Sequence, residues 1–262
     1  MTMRLSVDQW PVADLHARLA ASDAVVLTVS LVATDAQIER ALDLLSSDER
    51  VRYAAYTNAI VARRFARGRH ILRDVVGTAV SMSPGDVPLR EGLHGKPYVA
   101  HRGGRPLWFS LAHSEDYAVI ALSRVAEVGV DLERSRAVEQ WQRVADRVLD
   151  RQERMQLDVA VDAGDEPGSA FLRHWCRVEA ELKAIGCGIA GLEAHRAGVR
   201  PRGLRLADLT ALPVPAELAG EGVRYQAAVA LCSPSVDSAR QITPVAAQAV
   251  IPTSKPAIAS TK

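Results

Sequence analysis

The chain has 262 residues, 48% hydrophobic and 24% charged, the composition of a folded globular protein with one sizeable core or two smaller ones. A formal net charge of +1 gives no global field to recruit nucleic acid or a membrane surface, and no apolar run reaches membrane-spanning length. Three cysteines without metal-ligand spacing, and an N-terminus without a basic-then-apolar leader, point to a reduced, cytoplasmic protein.

In chain order, Ala24 to Val32 is a β-rich apolar run and Asp35 to Leu45 has helical spacing. Ser46-Ser47-Asp48-Glu49 resembles an N-cap leading to a longer helix from Ala59 to Val76, which Gly77 is expected to end. Ser83 to Asp86 and Gly92 to Gly104 read as loops; Leu107 to Leu111 and Tyr117 to Ser123 read as strands joined by a polar turn at Ser114-Glu115-Asp116. A further strand runs from Ala126 to Leu132, helical patterns cover Val138 to Ala160 and Gly168 to Ile189, and Val223 to Cys232 returns as a strand. Each half thus runs strand, helices, strands, which predicts an α+β protein of two related halves, 1–124 and 125–232. Residues 233–262 are rich in Ala, Pro, Ser, Thr and Val without periodicity, the composition of a disordered tail.

Two acidic segments carry the strongest chemical signal. Val128, Val130 and Leu132 alternate with Gly129, Asp131 and Glu133, a strand period that puts both carboxylates on one face. Phe171, Trp175, Val178, Leu182 and Ile185 recur at helical spacing, with Glu179 and Lys183 one turn apart on the flank of that stripe. Carboxylates without a nearby His or Cys suit Mg²⁺ rather than Zn²⁺. Taken singly, each motif is also the pattern of a solvated strand edge or a surface ion pair.

Three further features stand beside them. Residues 49–73 hold seven arginines (Arg50, Arg52, Arg63, Arg64, Arg67, Arg69, Arg73) against one acid, Glu49. Gly95-Lys96-Pro97 offers backbone groups that a planar ring can approach. Phe109 to Ser114 ends a strand in a His113-Ser114 turn, where imidazole and hydroxyl can meet a phosphate.

The order Gly-Lys-Pro, Phe-x-x-x-His-Ser, Gly-Val-Asp-Leu-Glu, Trp-x-x-x-Glu-Ala-x-x-Lys-x-x-Gly-x-Gly, over residues 45 to 190, resembles the 4′-phosphopantetheinyl transferases of the longer type, which activate nonribosomal peptide and polyketide synthases. The resemblance implies a pseudo-twofold α+β fold whose halves sandwich coenzyme A. It also implies transfer of phosphopantetheine to a serine of an apo acyl or peptidyl carrier protein, with release of 3′,5′-ADP. By position, Asp131, Glu133 and Glu179 match the family's magnesium ligands, and Lys183 matches its pyrophosphate-contacting lysine. His113 and Arg64 match ligands of the coenzyme's 3′-phosphate, with Arg52 adding charge and Ser114 a hydroxyl there, and Gly95-Lys96-Pro97 borders the adenine. Glu153 resembles the acid of the family's helix between the two metal motifs.

The chain departs from the pattern at Ser110 and Ala112, where the family has Asn and Ser, and at Val178, where it has Lys; Arg177 is the nearest replacement for that charge. A protein that binds coenzyme A or carrier with weakened turnover is the alternative reading. Nucleic-acid binding is disfavoured by the near-zero net charge and the absence of a recognisable motif. Two related halves within one chain make a monomer the expectation.

Overall fold

A computed structural model describes residues 3–92, 94–99, 106–220 and 222–233. The architecture mixes α and β, as expected of an α+β protein. Strand β1 (Leu5–Gln9), helix α1 (Leu15–Ala21) and strand β2 (Ala24–Ser30) lead to helices α2 (Asp35–Asp43), α3 (Ser47–Ala54) and α4 (Ala59–Val80). A hairpin of β3 (Leu89–Glu91) and β4 (Pro97–Val99) precedes β5 (Trp108–Ser114), β6 (Tyr117–Ser123) and β7 (Glu127–Arg134). Helices α5 (Trp141–Val148), α6 (Arg151–Asp162), α7 (Pro167–Ile185) and α8 (Leu192–Arg196) follow, then β8 (Arg205–Asp208) and β9 (Tyr225–Cys232).

The larger sheet has the order β1-β2-β6-β5 and the smaller β7-β9-β8. In each, a first strand (β2, β7) and the second strand of a later pair (β6, β9) run antiparallel side by side, with the pair's other strand (β5, β8) outside. A long helix precedes each pair, α4 before β5 and α7 before β8. The sheets meet where β5 runs beside β7: the Ser110 hydroxyl accepts the Val130 N–H at 3.2 Å and the Ser114 hydroxyl accepts the Arg134 N–H at 2.9 Å.

Several elements differ from the sequence reading. Gly77 lies inside α4; the helix ends at Ser81, in the left-handed region at φ 57°, and a Cβ at Gly77 would stand 2.7 Å from the Met82 carbonyl oxygen, so close packing is what keeps the position small. Ser46 caps its own short helix α3 through a capping box with Glu49, and α4 starts afresh at Asn58, whose side chain accepts from Ile60 and Val61. The expected helix over 138–160 is two helices, because Asp150 and Glu153 form a capping box that begins α6. Part of the expected 92–104 loop is strand β4, and β1, α1, β8 and α8 had no sequence signal of the expected strength. The expected tail, from residue 234 onward, lies outside the described residues.

Helix α7 is buried on two faces. The large stripe (Phe171, Val178, Leu182) packs with Ala145 of α5, Leu149 just beyond it and Leu157 of α6. Small residues Cys176, Ala180 and Ala184 pack on Ala228 and Ala230 of β9. On β7, Val128, Val130 and Leu132 face the core shared with the larger sheet, and Gly129 faces α7. A Cβ at Gly129 would collide with the Ala180 carbonyl oxygen and the Ala184 amide nitrogen. Strand and helix are in backbone contact there.

Gly129→Ala is therefore expected to destabilise the protein by about 3 kcal/mol or more, since neither colliding atom can move without shifting α7. Urea unfolding measures this, and a loss below about 1 kcal/mol would mean that the helix yields readily.

Candidate active site

The backbone contact at Gly129 sets the spacing of the acidic cluster. Asp131, two residues along the same face of β7, is buried, and Lys183 on α7 places its Nζ 2.6 Å from Asp131 Oδ1 and 3.8 Å from Glu179 Oε2. Burial, opposed by Lys183 and reinforced by the charges of Asp131 and Glu133, raises the Glu179 pKa. Glu133 also pairs with Arg136 at 3.1 Å. Two carboxylates thus face one ammonium, and Glu133 stands close enough to add to the field at Glu179.

Among the described residues, no group of three His, Cys, Asp or Glu side chains is drawn into a metal-holding cluster. The Lys183 ammonium takes the counter-cation's part beside Asp131 and Glu179. The donor set nonetheless fits a hard divalent cation: every donor is a carboxylate oxygen, and Asp131 and Glu133 add to the burial that already raises the Glu179 pKa.

A cleft of about 310 Å³ opens beside the cluster. Its lining includes Glu179, Leu182 and Lys183 of α7, Gly186, Gly188 and Ile189 beyond that helix, Gly95, Lys96 and Pro97 of the hairpin, and Ser110 and Leu111 of β5. The hairpin, β5 and α7 all contribute, and the Gly-Lys-Pro segment lines the same cleft as Glu179 and Lys183. The Lys96 side chain, however, turns into the protein: its Nζ lies 2.8 Å from Glu127 Oε2 and donates to the Ala184 carbonyl at 2.9 Å. Burial lowers the Lys96 pKa, against the pull of Glu127.

His113 is exposed on its side toward solvent and lies near Arg64, Lys183 and Asp131; burial of the ring, then Arg64 and Lys183, lower its pKa, and Asp131 opposes them. Arg64 forks onto Asp116, with Nε to Oδ1 at 2.8 Å and Nη2 to Oδ2 at 3.0 Å. Arg64 and His113 therefore stand together near the acidic cluster, the charge being that of Arg64 and shared with Asp116. The other expected ligands are placed differently. The Ser114 oxygen is engaged with the Arg134 N–H, and Arg52 lies over the Phe65 ring at 5.2 Å, outside the cleft lining. Of the remaining arginines of the 49–73 run, Arg69 and Arg73 pair with Glu49 and Arg63 with Asp35, so internal acceptors hold much of that charge.

The departures from the family pattern also find their places. Val178 is fully buried among the α5–α7 contacts, and Arg177 pairs with Asp208, its Nε 2.7 Å from Oδ1. Neither supplies a cation to the cleft. Glu153 is likewise not part of the cluster: it caps α6 and joins a buried network in which His195 stands between Glu153 (2.9 Å) and Glu181 (3.0 Å). Arg200 closes that network onto Asp150, Glu153 and Glu181 at 2.8, 3.1 and 3.1 Å. Burial disfavours the charged ring, but the two carboxylates outweigh it and raise the His195 pKa to about 9.

Sequence comparison bears on what this geometry belongs to. A family model described as 4′-phosphopantetheinyl transferase, N-terminal, matches residues 32–125, and one described as the 4′-phosphopantetheinyl transferase superfamily matches residues 127–211. The chain is 33% identical over 168 residues to the 4′-phosphopantetheinyl transferase HetI of Nostoc sp., covering 64% of this chain and 70% of that one. It belongs to the 4′-phosphopantetheinyl transferase superfamily, in its longer type. Other members of the superfamily match over shorter spans. The slr0495 protein of Synechocystis sp. is 34% identical over 148 residues, 56% of this chain and 59% of its own length. The transferase AcpT of Salmonella typhimurium is 37% identical over 95 residues, 36% of this chain and 47% of its own length.

Two outcomes follow from the buried positions. Because the folded pKa of His195 lies above the value of 6.5 expected when unfolded, its contribution of about 3 kcal/mol is complete below that pH and is lost as pH rises through about 9. Unfolding free energies at pH 6 and pH 9.5 should therefore fall by about that much more in wild type than in His195→Gln; parallel losses would exclude it. Val178→Lys should lower the melting temperature by several degrees without strengthening coenzyme A binding, because the new ammonium starts in a closed apolar contact. Tighter binding with an unchanged melting temperature would place this position at the cleft.

Proposed function

We propose that the protein moves 4′-phosphopantetheine from coenzyme A to a serine of an apo acyl or peptidyl carrier protein and releases 3′,5′-ADP. The observation that carries this reading is convergence. One cleft gathers the Gly95–Pro97 segment of the first half with Glu179 and Lys183 of the second, and Asp131 and the Arg64–His113 corner adjoin it. The shared strand order of the two sheets supports a pseudo-twofold pair of halves, residues 1–124 and 125–232, with the coenzyme between them. Two such halves complete one site within one chain, which favours a monomer.

Asp131, Glu133 and Glu179 would hold the metal. Mg²⁺, when bound, supplies charge neutralisation at the pyrophosphate and acidifies a coordinated water. The protein's own groups do the rest. The serine oxygen forms its bond to the β-phosphorus, the bond from that phosphorus to the oxygen of 3′,5′-ADP breaks, and the serine proton passes to Glu179 directly or through water. Lys183 moves from Asp131 to the leaving 3′,5′-ADP, where one placed cation is worth roughly 2 to 4 kcal/mol of barrier. Arg64 and His113 bind the 3′-phosphate; Arg52 adds long-range charge, and Ser114 acts by holding the β5–β7 seam. The loss of polar groups at Ala112 and Val178 favours the second reading, a protein of this fold that binds coenzyme A or carrier with weakened turnover.

The deciding experiment is intact mass spectrometry of an apo carrier protein incubated with this protein, coenzyme A and Mg²⁺. A phosphopantetheine adduct is expected. Asp131→Asn and Glu179→Gln should each slow its formation by about two orders of magnitude or more with the fold retained. Near-native turnover of either variant at limiting Mg²⁺ would remove that residue from the site, and coenzyme A binding without adduct would favour the second reading.

A further inference from the structure

Glu127 lies outside every motif that the sequence singles out. It stands two residues before Gly129, so the alternation that aims Asp131 and Glu133 at α7 extends back to it. Its carboxylate is 6% exposed and takes the Lys96 ammonium at 2.8 Å. The same ammonium donates to the Ala184 carbonyl at 2.9 Å. Lys96 thus reaches from the β3–β4 hairpin to a strand and a helix of the other half. The loop also rests on the segment after α7: a Cβ at Gly186 would lie 3.4 Å from Lys96 Cδ, and one at Gly188 would lie 3.6 Å from His94 Cβ.

A lysine engaged in this way offers no cation to a ligand. With its ammonium turned inward, the loop lines the cleft through His94, Gly95, Pro97 and the Lys96 stem, together with Gly186, Gly188 and Ile189. Such a wall has the chemistry for a planar, neutral ring, with glycines that let it come close. Glu179 and Lys183 line the same cleft.

We infer that the Lys96–Glu127 ion pair is a positioning latch that fixes the Gly95–Pro97 main chain against the end of α7 and so sets the purine-recognising wall of the cleft. The inference rests on the coenzyme A reading of the cleft. Neither residue touches the reacting atoms. Their effect is on nucleotide affinity: without the carboxylate's charge, a buried ammonium must lose its proton or swing out, and it takes the loop with it.

Glu127→Gln keeps the side chain's shape and an acceptor while removing the charge, and Lys96→Arg keeps the charge on another donor. Titration calorimetry with 3′,5′-ADP should show affinity at least tenfold weaker in Glu127→Gln, with Lys96→Arg in between. With coenzyme A and apo carrier, KM should rise in step while kcat stays within about twofold, because Glu179 and Lys183 remain in place. Unchanged 3′,5′-ADP affinity in folded Glu127→Gln overturns the latch and leaves the transferase reading standing. A fall in kcat with unchanged KM also overturns it, since that is what general disturbance of α7 would give. Wild-type protein that binds neither 3′,5′-ADP nor coenzyme A takes away the cleft reading and this inference together. Should Glu127→Gln not fold, Lys96→Arg carries the same titration, and wild-type 3′,5′-ADP affinity and KM in folded Lys96→Arg would overturn the latch.

Discussion

The contact between Gly129 on β7 and the backbone of Ala180 and Ala184 on α7 is the constraint on which the rest depends. Helices ordinarily sit about 10 Å from the sheets they cover because side chains intervene. Here the side chains at the closest point are absent or single methyl groups, and Cys176, Ala180 and Ala184 continue the small face against Ala228 and Ala230. The approach brings Asp131 within reach of Lys183 and keeps Glu179 in the same field. A larger residue at position 129 would move the helix, and with it two of the charged groups, away from the strand that carries the others.

Around this contact, cations near the cleft have internal partners. Lys183 is on Asp131, Lys96 on Glu127 and Arg64 on Asp116. An anionic ligand therefore meets a balanced electrostatic surface rather than a field of free positive charge, consistent with the chain's small net charge. Binding at Lys183 or Arg64 amounts to exchange of one anion for another or to sharing of a fork. Such exchange lowers the net gain per contact, and it keeps the empty site from paying the full cost of unpaired buried charge.

Local patterns made part of this legible in the sequence. The alternation at Val128 to Glu133 gave the strand and its acidic face, and the Glu179–Lys183 spacing gave a helix flank, because both depend only on neighbours a few residues apart. The large apolar stripe of α7 pointed to packing but not to the sheet, which the helix meets through its small residues; size and hydrophobicity favour the wrong face when close approach is the requirement. Three-residue strands such as β3 and β4 are too short for a period to emerge. Partners far apart in the chain left no trace either: Arg64 and Asp116 are separated by 52 positions, Lys96 and Ala184 by 88. The His195 network, built from α6, α7 and α8, is of the same kind: nothing beside Glu153 in the sequence reveals the ring it holds.

The serine hydroxyls on β5 have a mechanical consequence. Ser110 and Ser114 tie β5 to β7 at two points four residues apart, and the Ser123 hydroxyl, donating to the Asp23 carbonyl at 2.7 Å, accepts the N–H groups of Val125 and Ala126 at 3.2 Å. The β6–β7 turn is thus held at its own serine as well as along the neighbouring strands. Rotation of the larger sheet against the smaller would have to break this stitching first. The junction beside the cleft is accordingly a property of the resting fold, and adjustment to a ligand falls to side chains.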